Sequence, residues 1–410
     1  MRDYLLMGVV TAARISVALG TLLILARVLG PNKFGFISVV VTWSAIAALV
    51  TDYGFNMQAI RDIGANNERA VNVMSSSLAG KTILVSITTC IFIPLILLVS
   101  GLSDIERVVA ALFFFGTLAG SYGDLALVAF RGLREYKSEA EVVVIAAFLH
   151  FIILLVVVFL SDDLILIAFA FILSRLLYAI LAVISLVRRF SKDKIFFFNL
   201  STVMHRFRSS LSFAVDSGAT NIFSQLDVIL INHLAGREMA GIYFAGARLL
   251  QGAVPFSVLL ASIHIPRCAK LGYDKSARLK GYGLRIFLEY IVVGVFFGFA
   301  FFILGPIITN WFLGPDYKLL NSLWLAFGVF TAIRFAAAGI GVQLVALGTG
   351  FIRTSGIILS GVITIVLYWI YIPDKGIVAA PWVSAFGMTF ITIFYAVVIM
   401  KIYGKMKAEV

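Results

Sequence analysis

Residues 151–160 read FIILLVVVFL, and residues 291–304 read IVVGVFFGFAFFIL. Neither stretch alternates between polar and apolar side chains, so neither matches the strand pattern of a membrane β-barrel. Comparable apolar runs of about 20 residues recur along the chain, and an α-helix of that length crosses a hydrocarbon layer of roughly 30 Å. The sequence therefore predicts an all-α polytopic membrane protein.

The composition of the chain supports this class. Hydrophobic residues make up 61% of the 410 residues and charged residues only 13%, which is more apolar than the core of a soluble domain requires. The formal net charge is +12, but the cations lie mostly in loops between apolar runs, so no nucleic-acid partner is expected. The two cysteines and four histidines show no ligand spacing, and we expect no metal, no cofactor and no catalytic residue.

The apolar runs predict twelve membrane-spanning helices, the first of which is an uncleaved N-terminal span. With both termini in the cytoplasm, most of the 33 Lys and Arg residues fall on the cytoplasmic side, as the positive-inside rule requires. The outer loops then hold few cations: Lys33, Arg107, Arg237, Lys318 and Lys375. The predicted spans are 8–29, 34–55, 80–100, 107–130, 141–160, 164–187, 208–233, 240–265, 284–304, 319–347, 352–372 and 377–400.

Two turns of the chain resemble each other and indicate an internal repeat. Residues 29–36 read LGPNKFGF between spans one and two, and residues 235–242 read AGREMAGI between spans seven and eight. Each turn has two glycines five residues apart. We expect two six-helix bundles, at 1–195 and 196–410, related by an axis along the membrane normal. The alternative is a chance similarity between glycine-rich turns.

Short motifs carry a resemblance to a known family. Residues 25–35 read LARVLGPNKFG, residues 52–56 read DYGFN, residues 61–63 read RDI, and residues 131–133 read RGL. These motifs resemble the Wzx-type O-antigen and polysaccharide flippases, the polysaccharide transporter branch of the multidrug/oligosaccharidyl-lipid/polysaccharide exporter superfamily. The resemblance implies two bundles around a central cavity, which translocate an undecaprenyl-pyrophosphate-linked oligosaccharide across the bacterial inner membrane by alternating access.

The resemblance implies a flippase rather than an enzyme, with the lipid-linked oligosaccharide, membrane lipids and the polysaccharide polymerase machinery as partners. Two other functions stay open: a cation-coupled drug exporter of the same superfamily, and a membrane-embedded glycan polymerase or ligase. The latter should present a large outer loop, whereas the outer loops here are short. An exporter of cations should have uncompensated carboxylates in its spans, whereas these spans hold more arginines than clear carboxylates.

Arginines inside the predicted spans are candidate substrate-binding residues. A charge at mid-bilayer costs about 2.5–3.5 kcal/mol on insertion scales, so such residues are retained where they face a wet cavity or a partner. Guanidinium binds phosphate oxygens through paired hydrogen bonds. We expect Arg14 and Arg248 to bind the pyrophosphate as unpaired cations, with Arg175 and Arg334 as secondary candidates. Arg27 lies near the outer end of its span and is expected to reach water.

Predicted span seven is the most polar of the twelve. Asp216 and Asp227 fall on one helical face, with Asn221 and Gln225 beside it, so this face should border water or sugar. We expect Asn221 and Gln225 to contact the substrate, and Asp216 or Asp227 to serve as an ion-coupling site. An equally weighted alternative for Asp227 is a packing ion pair with Arg248 across adjacent spans.

Overall fold

A computed structural model of the chain describes residues 2–99, 101–190, 199–223, 225–274, 276 and 278–408. Every regular element in these ranges is helical, so the predicted all-α class is confirmed. The α-helices are α1 (Arg2–Asp52), α2 (Phe55–Ala65), α3 (Ala70–Leu98), α4 (Asp104–Gly132), α5 (Tyr136–Leu160), α6 (Leu164–Arg189), α7 (Leu200–Phe223), α8 (Leu226–Ala235), α9 (Arg237–Leu250), α10 (Val254–Tyr273), α11 (Leu279–Ile307), α12 (Trp324–Ala346), α13 (Gly350–Lys375) and α14 (Ala379–Ala408).

The long helices are suited to a bilayer. Within the described ranges, nine helical segments are long and apolar enough to cross a membrane, and two of them, Ala13–Ala65 and Gly350–Gly404, contain 53 and 55 residues. Each of these two is about twice as long as one crossing requires. Many large apolar side chains, including Leu98 and Phe159, are exposed on the helices. The polytopic membrane class is confirmed, while the count of twelve spans stays a prediction.

Predicted span seven is not one continuous helix. Helix α7 ends at Phe223 and α8 begins at Leu226, with Gln225 in a turn between them. Short polar side chains such as those of Asp, Ser, Thr and Asn offer the backbone alternative hydrogen bonds and so weaken a helix interior. Asn221 illustrates this effect, because its Nδ2 donates to the carbonyl of Ser217 at 2.8 Å.

The contacts within the chain define two compact units. The first contains Met1–Leu29 and Ile37–Ile222, and the second contains Gly30–Phe36 and Phe223–Val410. The predicted bundle boundary between residues 195 and 196 lies outside the described residues. Each unit has its own buried apolar core, which includes Phe55 and Phe130 in the first unit and Tyr290 and Phe335 in the second.

Close packing of α4 against α6 shapes the interior of the first unit. A Cβ atom added to Gly123 would overlap the ring of Tyr178, and one added to Gly116 would overlap the ring of Phe171. Positions that lie this near a neighbouring helix accept only glycine without local rearrangement. The close approach brings the hydroxyl of Tyr178 to the level of Asp124 on α4.

The two similar turns found in the sequence also share a backbone conformation. Gly30, at the kink of α1, has φ 67° and ψ 169°, and Gly236, between α8 and α9, has φ 90° and ψ 171°. This region of conformational space is open to glycine and strained for other residues. Within the second unit, a Cβ on Gly35 or on Gly241 would overlap backbone atoms of the other turn. The two turns therefore pack directly against each other.

Candidate functional site

Arg14 lies on α1 and has two partners in the first unit. Its Nη2 donates to the hydroxyl of Tyr178 at 3.1 Å, and its Nη1 lies 3.5 Å from Oδ1 of Asp124. The Tyr178 hydroxyl in turn donates to Asp124 Oδ1 at 2.7 Å. We call these three residues the Arg14 cluster. The expectation that Arg14 is an unpaired cation is wrong, because α4 places a carboxylate beside it.

A second charged pair in the first unit is more deeply enclosed. The side chain of Lys81 is fully buried, and its Nζ lies 3.6 Å from Oδ1 of Asp52 and 5.8 Å from the centre of the Tyr122 ring. Sequence reasoning did not select Lys81, because it stands at the predicted start of a span, where a lysine ordinarily extends towards water. The clue in the sequence was the run of three serines at 75–77. The structure buries all three side chains, so α3 is already enclosed before residue 80.

Asp227 anchors a polar cluster in the second unit. At the start of α8, its Oδ1 accepts a hydrogen bond from the backbone N–H of Val228 at 2.8 Å, and its Oδ2 accepts one from the Tyr243 hydroxyl at 3.0 Å. The Tyr243 oxygen lies 3.5 Å from that of Tyr368, which lies 2.6 Å from Oγ of Ser384. A line of hydroxyl groups therefore connects α8 to α9, α13 and α14.

Arg248 on α9 is held by neutral partners. Its Nη2 donates to Oε1 of Gln225 at 3.2 Å, its Nη1 donates to Oε1 of Gln251 at 3.0 Å, and its guanidinium lies 4.6 Å from the centre of the Phe244 ring. The alternative of a direct ion pair with Asp227 is wrong for the described structure, in which Asp227 bonds to hydroxyl and backbone groups instead. The two charges still interact electrostatically.

Arg334 on α12 belongs to the same cluster. It also interacts electrostatically with Asp227, although sequence reasoning ranked it below Arg248. Among the residues that the structure describes, its guanidinium has no hydrogen-bond or ion-pair partner. The charges of two arginines therefore act on the Asp227 carboxylate. We call Asp227, Arg248, Arg334 and their hydrogen-bond partners the Asp227 cluster.

The other predicted site residues are spread over both units. Arg175 on α6 stacks over Phe171, with its guanidinium carbon 5.4 Å from the ring centre, and its buried Nε has no hydrogen-bond partner among the described residues. Asn221 is exposed on α7 in the first unit, whereas Gln225 belongs to the second unit. Residue 216 lies within α7, but the side chain of Asp216 lies outside the described part of the structure.

Solved structures share this helical arrangement over nearly the whole chain. An inward-facing multidrug resistance MATE family transporter of the MOP superfamily aligns with a TM-score of 0.77 at 15% identity, covering 96% of each chain. The lipid II flippase MurJ, in an inward closed conformation, aligns with a TM-score of 0.73 at 13% identity over 98% of this chain and 90% of that one. A MOP superfamily transporter from Pyrococcus furiosus Vc1 gives 0.68 at 15% identity, with 99% and 96% covered. The chain therefore shares its fold with these membrane transporters.

Comparison of sequences assigns the chain to a particular family. The family described as polysaccharide biosynthesis protein matches residues 2–271, and the chain belongs to this family. A Shigella dysenteriae protein named "Putative O-antigen transporter" is 24% identical over 307 residues, which cover 73% of this chain and 75% of that protein. The resemblance drawn from the motif at 25–35 is confirmed.

Proposed function

We propose that this protein is a flippase that moves undecaprenyl-pyrophosphate-linked oligosaccharide across the bacterial inner membrane by alternating access between its two halves. The observation that carries the proposal is the Asp227 cluster, in which the charges of Arg248 and Arg334 both act on Asp227, the carboxylate that the described residues place there. A guanidinium without a counter-charge inside a membrane protein is costly unless an anion neutralises it. A pyrophosphate supplies that anion and matches the donor geometry of arginine.

The charge balance argues against export of cationic drugs. Asp52 and Asp124 each have a cation within 4 Å, at 3.6 and 3.5 Å, and the charges of Arg248 and Arg334 act on Asp227. A cationic cargo would need a carboxylate that the protein does not already neutralise. The similarity to a multidrug transporter is one of fold, which does not determine the cargo.

We place ion coupling at Asp227, with Asp216 as a second candidate. A proton taken up by the Asp227 carboxylate removes the negative charge beside Arg248 and Arg334, so an anionic cargo then binds more tightly. By linkage, bound cargo favours protonation by the same factor. Release of the proton restores the carboxylate, which repels the cargo.

Flipping of lipid-linked oligosaccharide by the protein in proteoliposomes tests the proposal. Arg334→Ala or Arg248→Ala should slow flipping by roughly tenfold or more, because a hydrogen bond to a charged group contributes about 1.5–3 kcal/mol. The lysine variants keep the positive charge, so their flipping rate should fall less. Arg27→Ala is the matched control, expected to be nearly silent.

Two outcomes would contradict the proposal. If wild-type protein moves no lipid-linked oligosaccharide, the flippase function is wrong. If both alanine variants flip at the wild-type rate, the Asp227 cluster is not the cargo site. In the same assay, Asp227→Asn should remove the effect of an imposed pH gradient, and an unchanged gradient effect would remove Asp227 as the coupling site.

A further inference from the structure

We infer that Asp124 is a built-in competitor for cargo phosphate at Arg14, so that only anions that bind arginine strongly, such as a diphosphate, occupy the Arg14 cluster. This inference rests on the proposed function and concerns the first unit. Its basis is the way Arg14 is held: the guanidinium makes a hydrogen bond to Tyr178 at 3.1 Å, while its approach to Asp124 is a looser contact at 3.5 Å.

The guanidinium of Arg14 retains unused donors. An arginine carries five N–H groups, and within the described structure Arg14 donates one of them, to Tyr178. The carboxylate of Asp124 therefore compensates the charge of Arg14 without the paired hydrogen bonds that arginine forms with a well-placed anion. A phosphate group can form those paired bonds, and a diphosphate carries more negative charge than the carboxylate that it replaces.

A ligand can reach this pair. The side chains of Arg14 and Asp124 are 37% and 45% exposed, whereas Lys81 in the same unit is fully buried beside Asp52. Exposure distinguishes the two pairs: the Lys81 pair is closed within the protein, and the Arg14 pair is open to exchange of its anion.

When cargo takes the place of Asp124 at Arg14, other cations still stabilise the Asp124 carboxylate. It interacts electrostatically with Lys81 and with Arg131, and unfavourably with Asp52, while Tyr178 continues to donate to it. Within the described side chains, these groups and Arg14 are the ones that interact with Asp124 from α1, α3, α4 and α6. The cost of cargo binding is thus the loss of one loose ion pair. This cost is the same for every anion, so a weakly binding anion is excluded, whereas a diphosphate, which binds arginine more strongly, still displaces Asp124.

Binding of farnesyl pyrophosphate and farnesyl monophosphate to the purified full-length protein tests this inference. Asp124→Asn should tighten pyrophosphate binding by about three- to tenfold, which corresponds to a partly exposed ion pair. Monophosphate binding should tighten by a similar factor, because both ligands displace the same carboxylate. Arg14→Ala should weaken both, and the double variant should bind like Arg14→Ala, because the two effects act through one contact.

Asp104→Asn is the matched control. It removes the same charge from the same helix, where Asp104 is 96% exposed and pairs with Arg107 at 2.8 Å, and it should leave binding unchanged. Asparagine keeps an acceptor oxygen for Tyr178, so Asp124→Asn should fold, and Asp124→Ser serves if it does not.

A folded Asp124 variant that binds pyrophosphate no more tightly than wild type overturns the inference. An equal gain from Asp104→Asn also overturns it, because the effect would then be one of overall charge. If wild-type protein flips lipid-linked oligosaccharide while either of these results is found, only the role of Asp124 fails. A wild-type protein that flips nothing removes the proposed function itself.

Discussion

Lys81 carries a charge that the protein encloses completely. Its ammonium lies 3.6 Å from Asp52 and faces the ring of Tyr122, and Nζ makes no hydrogen bond of normal geometry to a described residue. Removing an ammonium from water is costly, and a carboxylate at this distance offsets that cost only in part. The pair therefore depends on both members, and the loss of one leaves a buried charge.

Lys81→Met should sharply lower thermal stability and folded yield. Removing one member of a buried ion pair costs about 3–5 kcal/mol, whereas replacing both members is often neutral. Lys81→Met combined with Asp52→Asn should therefore recover most of the loss, as measured by thermal unfolding in detergent. Lys137→Met is the control, because Lys137 forms an exposed pair with Glu141 and such pairs contribute little. If the double variant is as unstable as Lys81→Met alone, the instability does not come from an unpaired Asp52.

At the scale of helices, the residues that hold Arg248 lie where helices are interrupted. Gln225 precedes α8, and Gln251 begins a short 3-10 turn between α9 and α10. Asp227 accepts the Val228 backbone N–H in the first turn of α8, where the helix dipole favours a negative charge. The breaks thus supply the amide and carboxylate groups of the Asp227 cluster.

The packed turns at 30–36 and 236–241 should be sensitive to a single methyl group. Gly241→Ala places a Cβ against backbone atoms of the other turn, and overpacking of this kind costs about 1–3 kcal/mol. The expected result is a lower melting temperature. Gly281→Ala is the control, since its Cβ would meet nothing within 4 Å on α11 and alanine favours a helix. Equal melting temperatures for Gly241→Ala and wild type would show that the turns separate readily.

The sequence predicted the helical membrane class because apolar runs of bilayer length leave few other folds. It also selected Arg14, Arg248 and Arg334 as candidate site residues, because a cation within such a run is conspicuous. It did not identify their partners. Tyr178 is 164 residues from Arg14, and only the packing of α1, α4 and α6 brings it close. The break before α8 was missed because the polar residues there also fit an amphipathic helix.

At the scale of the whole molecule, each unit has its own charged cluster. The Arg14 cluster belongs to the first unit, and the Asp227 cluster belongs to the second. Among the side chains that the structure describes, the Arg14 cluster has one guanidinium for one carboxylate, whereas the charges of two guanidinium groups act on the one carboxylate of the Asp227 cluster. If both bind cargo phosphate, the unit with the excess cation should bind it more tightly.

The predicted orientation of the chain rests on the distribution of its cations. Positively charged loops are retained on the cytoplasmic side during insertion, so the loops near Lys33 and Lys375 should lie outside, and those near Lys137 and Lys280 inside. All four side chains are exposed. Cysteine introduced at Lys33 or Lys375 should react with an impermeant thiol reagent added to intact cells. Cysteine at Lys137 or Lys280 should react only after the membrane is opened.

The labelling requires a background without the native cysteines, since Cys90 is exposed. Reaction after membrane opening shows that an unlabelled position is accessible in principle, so a negative result in intact cells reports sidedness alone. The reverse pattern would contradict the predicted orientation and place the start of α11, with Lys280, outside the cell. Equal labelling of both sets in intact cells would indicate two populations of opposite orientation, which the strong bias of the cations towards one side argues against.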